Sequence, residues 1–582
     1  MYKTLKITLN FVATSLMSCF FLTSFIRAEE GFQDIEKRIY AHLLIQDSQG
    51  AIDEAKRGLA LFPESKELHL AYIRALSENG NETAVLQEWE KTMTLFHEEI
   101  SNRTALEVLA WGVLNKAERS PQLMIQFNSL LGAAFTHDIK ALPHLTHAMR
   151  GTNTLMRMMA VQLSASYGDA PLQEELARML KEEKVWSVKL EVIRAIGALR
   201  MTSLRDQLKE IISKDETLAE EKAAAILAIV SMYDAIGPKE LNALLKSNRA
   251  GLRQLGCQLV AHLDMHNYVK EVGELLSDTC PDVRVEALYT LGLLRAKIEL
   301  SDISSCLQDS SPVVAITAGW LAMLNGLSEG AAVLEKWMED SHADLRGLSA
   351  AALAMTGKKG VPLLLKSLGT HVDPYVRATL AIGLIGQREE VKKACDTLYQ
   401  VFCDEQYTLW MWQEGFPFRF LSRSDIPHAH HIPNYPHVID RLAKLEILHI
   451  LNVMRAKYAE DAMRIFLKND SWRTIGVAAG MLLQEGNGES LDLVRGLLED
   501  ENESVRVQAA IILASQGAEP SALRVLQEAY PHVDREMKIH ILEAIGHVGN
   551  KDSIPFLIEI LKEPFQMLRV VAASALIQCI YH

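Results

Sequence analysis

Pro281-Asp282-Val283-Arg284-Val285-Glu286-Ala287-Leu288 decides how this chain folds, because the setting around Arg284 returns at a fixed interval. Lining up Arg253-Gln-Leu-Gly, Arg284-Val-Glu-Ala, Ala315-Ile-Thr-Ala, Arg346-Gly-Leu-Ser and Arg377-Ala-Thr-Leu gives four consecutive spacings of 31 residues. A register held that long marks an internal repeat, and a repeat of this length is a small unit that must stack on its copies to bury a core. Basic residues recur in the same setting at Arg157, Lys189 and Lys222, and again at Lys444, Arg473, Arg506, Lys538 and Arg569. Their spacings run from 29 to 33, with 67 residues between Arg377 and Lys444.

Each anchor opens a run whose apolar residues fall at helical spacing, such as Val505, Ala509, Ile512 and Leu513, so one face of the run is apolar. Glycine ends many runs and proline follows: Gly168 with Pro171, Gly237 with Pro238, Gly517 with Pro520, Gly549 with Pro555. Glycine suits the left-handed position just past a helix, and proline suits the first helical turn, where its missing N–H costs nothing. Each unit is therefore expected to be two short helices joined by tight turns.

On these residues the chain resembles the HEAT-repeat family, whose units read apolar helix, Asp-rich turn, Val-Arg, then an Ala-rich helix. Ala343-Asp344-Leu345-Arg346, Pro374-Tyr375-Val376-Arg377 and Glu503-Ser504-Val505-Arg506 fit the pattern beside the opening stretch. The resemblance implies an all-α solenoid of stacked helical hairpins over residues 146–394 and 437–582. It implies a structural role for Arg253, Arg284, Arg346, Arg377, Arg506 and Arg569, each reaching a neighbouring Asp or a helix-end carbonyl. Ala315 and Lys222 depart from the arginine, so any such ladder is expected to break there. Residues 29–145 form a different region. Ala51, Ala55, Gly58 and Pro63, then Ala71, Gly80 and Trp89, resemble two tetratricopeptide units, again paired helices, and residues 100–145 read as helical without a repeat.

The register is interrupted at 395–436. Residues 396–437 hold nine Phe, Trp and Tyr in 42, three times the 7% of the whole chain, together with Pro417, Pro427, Pro433 and Pro436. These prolines stop helices, and irregular insertions on rigid scaffolds often carry function. Trp410, Trp412, Phe416, Phe418 and Phe420 alternate, which would place them on one face of an extended segment. Two readings follow: Trp410, Trp412, Phe416 and Phe418 are anchors for a protein partner, or the aromatics plug a joint between two repeat blocks. His428, His430, His431 and His437 form the one histidine cluster, with Asp425 the nearest carboxylate and no cysteine nearby, a poor ligand set for a metal.

The chain is 582 residues long with 49% hydrophobic and 23% charged residues, the composition of a folded protein able to bury a large core. Its formal charge of −14 and lack of basic runs argue against nucleic acid as a partner. Lys3 and Lys6 precede an uncharged apolar stretch, Ile7 to Ile26, with Ala28 at the end, so residues 1–28 read as an export leader. It is cleaved, acylated at Cys19 of Leu16-Met17-Ser18-Cys19, or retained as an anchor, since about 20 apolar residues also span a bilayer. The expected location is the periplasm or cell envelope, with membrane contact only through this segment.

Six further cysteines, at irregular spacing and without a CxxC, make no disulfide framework or zinc site. No phosphate-cradling glycine loop, GxSxG elbow or HExxH helix is present. Deoxyhypusine hydroxylase, a helical-repeat enzyme, holds two irons through paired His-Glu motifs, whereas this chain has only His97-Glu98, outside the repeats. Phycobilin lyases act inside the cell, which an export leader does not fit, and HEAT-like DNA glycosylases need a basic groove. The expectation is an exported scaffold that binds other proteins, with no catalytic residues, cofactor or metal; the alternative is a lyase-type enzyme acting on a bound protein.

Overall fold

The computed structural model describes residues 31–96, 103–214, 216–403, 410–423, 435–468, 488–515 and 519–581. Among these lie 31 α-helices and a single two-stranded hairpin. The protein is an all-α solenoid of helical hairpins carrying one aromatic-rich β insertion. It separates into two compact units, one made of residues up to Ala141 together with those from Gly549 onward, the other of Leu142–Val548.

In the first unit, Phe32–Leu44 pairs with Ser48–Leu61 and Lys66–Asn79 with Glu82–Phe96. Ala51, Ala55, Ala71 and Trp89 are buried between them. Gly58 leaves room for the Ile35 and Leu68 side chains, which a Cβ there would strike. The last helix of the chain, Gln566–Tyr581, packs along Arg103–Glu118 and Leu123–Phe135. The final repeat thus belongs to the same unit as the N-terminal hairpins. Arg569 finds its carboxylate in Glu82, and the Ser574 hydroxyl donates to the Gly132 carbonyl at 3.1 Å.

In the second unit the repeats stack from Ala141–Arg150 through Val391–Cys403, and stacking resumes with Tyr435–Val453 on that helix. Helices begin where a backbone donor can be capped or is absent. Asn153, Asp373 and Asn502 accept from the first free N–H groups, and Pro238, Pro281, Pro312, Pro374 and Pro520 occupy the first turn. The Ala-rich second helices lie close together. A Cβ on Gly197 would meet Ala228 of the next repeat, and one on Gly383 would meet Ala354. Gly168 and Gly549 take the left-handed conformation at +69° and +66°, whereas Gly237 is extended at −69° and Asp234 makes the left-handed cap in its place. Arg200, Asp264, Arg295 and Arg388 fill the same role in other repeats, so glycine is not required at this position.

Candidate functional site

The insertion is an antiparallel hairpin of β1 (Trp410–Gly415) and β2 (Phe418–Arg423), reversed at Phe416-Pro417, whose peptide bond is cis. The pairing sets Trp412 opposite Leu421 and Gln413 opposite Phe420. Each cross-strand pair therefore joins an even to an odd position, and side chains directly opposite share a face. Trp412, Arg419 and Leu421 consequently lie on one face, Phe418 and Phe420 on the other. The single aromatic face expected of one extended segment does not exist, because the reversal swaps the parity of the second strand.

Phe418 and Phe420 are 1% and 2% exposed. Phe418 meets Trp320 and Tyr289 edge-on, with ring centroids 5.4 and 6.2 Å apart, and Phe420 occupies space that a Cβ on Gly347 would block. On the other face Arg419 stacks over Trp412 at 4.5 Å and holds Glu446 of Tyr435–Val453 through two hydrogen bonds of 2.8 and 2.6 Å. The hairpin is therefore packed between the repeats at Ala343–Ala354 and Pro374–Gln387 and the helix Tyr435–Val453. Of the expected anchors, Phe418 is core and Trp412 is partly covered. Phe416 is 45% exposed at the tip, beside Tyr289, and the Trp410 side chain lies outside the described residues. His428, His430 and His431, the His437 side chain and the leader also lie outside them.

The repeat arginines form a regular device. Arg157, Arg253, Arg284, Arg346, Arg506 and Arg569 each donate from Nη1 to the carbonyl six residues earlier, at 2.6–3.0 Å. Four of them also grip a carboxylate 25–27 residues ahead: Arg157 to Glu183, Arg253 to Asp278, Arg284 to Asp309, Arg346 to Asp373. Forked guanidinium contacts of this kind fix both distance and orientation between repeats. Burial opposes ionisation of Asp278, but the Arg253 guanidinium and the Cys280 N–H outweigh it and hold the carboxyl below its ordinary range. Arg377 has no carboxylate partner among the described residues.

The two departures from arginine break the device differently. At Ala315 the cation is missing and the carboxylate remains: Asp340 accepts from the backbone and ring of His342 instead. At Lys222 the cation remains and the carboxylate is missing, since positions 25–27 residues ahead are Ser247, Asn248 and Arg249. Here the stack loosens. The second helices Trp186–Ala198 and Ala219–Tyr233 pack along their lengths, as do Ala250–His262 and Pro281–Leu293, yet Ala219–Tyr233 and Ala250–His262 touch at few points.

A cleft of about 1050 Å³ opens between them, bounded by Arg205–Ser213, Ala219–Tyr233, Pro238–Leu245 and the start of Ala250–His262. Its floor is aliphatic: Ile226, Val230, Leu244 and Leu252 are buried, Ile212 and Ile229 half-buried. Arg205, Lys209, Lys222 and Arg249 line it against one carboxylate, Glu240. Arg205 lies over the Tyr233 ring at 5.4 Å, and Arg249 donates to the Thr217 carbonyl at 3.1 Å. Among the described residues neither Lys209 nor Lys222 forms an ion pair. Sequence reading missed this cleft, although its signal was present: Lys222 lacks the acid that follows Arg157, Arg253, Arg284 and Arg346.

Among the described residues no group of His, Cys, Asp and Glu could hold a metal, and none of the six cysteines there is in a disulfide. Burial pushes the Cys257 and Cys579 thiols up to about 12, far from a reactive thiolate. Glu286 is 2% exposed and accepts from Gln258 at 2.8 Å; burial raises its carboxyl to about 7 against the opposing pull of that hydrogen bond.

No family model matches the chain, and no curated protein matches it. Solved structures do. The myosin chaperone UNC-45 is similar at 13% identity over 92% of this chain and 74% of its own, with a TM-score of 0.31. The karyopherin Kap121p bound to the extreme C-terminus of the phosphatase Cdc14p is similar at 13% over 94% and 69%, with a TM-score of 0.36. Human deoxyhypusine hydroxylase is similar at 17% over 43% and 96%, with a TM-score of 0.22. The solenoid assignment rests on the chain's own 31-residue repeats.

Proposed function

We propose that the chain is an exported scaffold that binds other proteins on its solenoid and serves as an assembly or interaction factor in the cell envelope, leaving its partners chemically unchanged. The observation that carries the binding reading is the cleft at Lys222: an aliphatic floor and a cationic rim in a spine where Arg253, Arg284 and Arg346 are occupied in holding repeats together. Repeat arrays present such extended surfaces as their means of binding. The export reading rests on the charged start and apolar run of residues 1–28. Among the described residues no helix is long and apolar enough to cross a membrane.

The test is affinity capture with cross-linking from cells that make the protein, followed by intact-mass analysis of what is captured. A partner held stoichiometrically at its encoded mass supports the scaffold. A partner modified by catalytic amounts of the chain, or the absence of any saturable partner, overturns it. Recovery of the chain in the cytosol with residues 1–28 intact contradicts the location.

A further inference from the structure

The cleft between Ala219–Tyr233 and Ala250–His262 lies at the loosest junction between successive second helices from Thr154–Ser164 to Pro374–Gln387. In every well-packed junction, one second helix covers the apolar face of the next. Here that cover is thin, and the half-buried Ile212, Ile229 and Ile236 lie at the surface of an aliphatic floor in an open cleft. The rim is cationic in a chain whose formal charge is −14, so it runs against the average surface. Arg205 and Lys209 lie one turn apart on one face of their helix, and Lys222 is a ladder cation whose carboxylate the sequence does not supply.

From these observations we infer that the cleft binds an acidic amphipathic α-helix of a partner protein. Resting on the protein-binding reading above, this names the chemistry of the segment bound. Such a helix, about 10 Å across, would lay an apolar stripe on the half-buried Ile212, Ile229 and Ile236 and set carboxylates against Arg205, Lys209 and Lys222. Its carboxylates would take the part that Asp278, Asp309 and Asp373 play at the intact junctions, and its apolar stripe the part of a closely packed neighbouring helix. A nucleic acid matches less well, because the floor is aliphatic and the rim's one aromatic ring, Tyr233, is covered by Arg205.

The full chain should be titrated by fluorescence anisotropy with a labelled synthetic helix bearing Leu on one face and Glu on its flanks. Saturable binding is expected, weakened about tenfold or more by added salt, by Glu-to-Gln exchange in the peptide, and by Arg205→Glu with Lys209→Glu in the protein. Both protein positions are exposed, so the double variant keeps its helical circular dichroism. Lys222→Gln, tested separately, should weaken binding as well. Equal affinity for the Gln peptide, unchanged affinity of the double variant, or displacement of the peptide by inorganic phosphate or an oligonucleotide at constant ionic strength would each overturn the proposal. If a cellular partner is captured equally by native and double-variant chains, the cleft proposal falls and the scaffold reading stands. If the native chain captures no partner at all, both fall.

Discussion

Glu286→Gln should stabilise the protein, and by an amount that grows with pH. The carboxyl sits on Pro281–Leu293 at 2% exposure with Gln258 as its hydrogen-bond donor, and burial raises it from an ordinary 4.5 to about 7. A carboxyl raised on folding favours the folded state fully below pH 4.5, where both states are protonated. That contribution is lost as pH rises through about 7, because the folded chain must then carry a buried charge that the unfolded chain exposes to water. At about 1.4 kcal/mol per pH unit, the loss is on the order of 3 kcal/mol. Glutamine keeps the shape and the acceptor for Gln258 without the charge. The variant should therefore match the native protein near pH 4.5 and exceed it by up to about 3 kcal/mol at pH 8. Urea unfolding at both pH values measures the difference, and amide exchange of Pro281–Leu293 localises it. A gain equal at the two pH values, or a variant less stable at pH 8, would refute the reasoning.

Phe418→Ala empties a site that is 1% exposed and should cost about 3–5 kcal/mol, whereas Phe416→Ala at the exposed tip should change the melting temperature little; equal effects in thermal unfolding would contradict the placement. Arg284→Ala removes a forked contact to Asp309 and a bond to the Asp278 carbonyl and should cost about 2–4 kcal/mol. Asp340→Asn, at the repeat that has no arginine, should move the unfolding midpoint far less than Arg284→Ala in the same denaturation assay. Asp278 and Glu183 are held below the ordinary carboxylate range, so their stabilisation is present at neutral pH and lost as pH falls below about 4 through their lowered values. Replacing Arg253 and Arg157 by Gln should make acid unfolding, followed by circular dichroism, less steep.

The fold was legible because periodicity survives without an alignment: five anchors 31 residues apart and proline at the first helical turn both report backbone geometry. Caps were less legible. Asp234, Arg200 and Arg295 adopt the left-handed conformation assigned in advance to glycine, since one strained residue is tolerated where packing fixes the turn. The hairpin was misread as one face because parity along a chain predicts faces only until the chain reverses, and nothing in Gly415-Phe416-Pro417-Phe418 fixes the pairing without the partner strand. The joining of Gln566–Tyr581 to Arg103–Glu118 was invisible for the same reason, being a contact between residues more than 400 positions apart. The cleft was half-legible. Lys222 was noticed, but its meaning lies in the absence of an acid near Asn248, a rule visible only once the Arg253–Asp278 and Arg284–Asp309 pairs define it.

The most direct test of the account is amide hydrogen exchange of the full chain with and without its captured partner, read together with the partner's intact mass before and after incubation. Saturable protection centred on Ala219–Tyr233 and Ala250–His262 is expected at a one-to-one ratio, with the partner's mass unchanged. Protection absent from both helices at full occupancy, or a mass change in the partner driven by catalytic amounts of the chain, would contradict it.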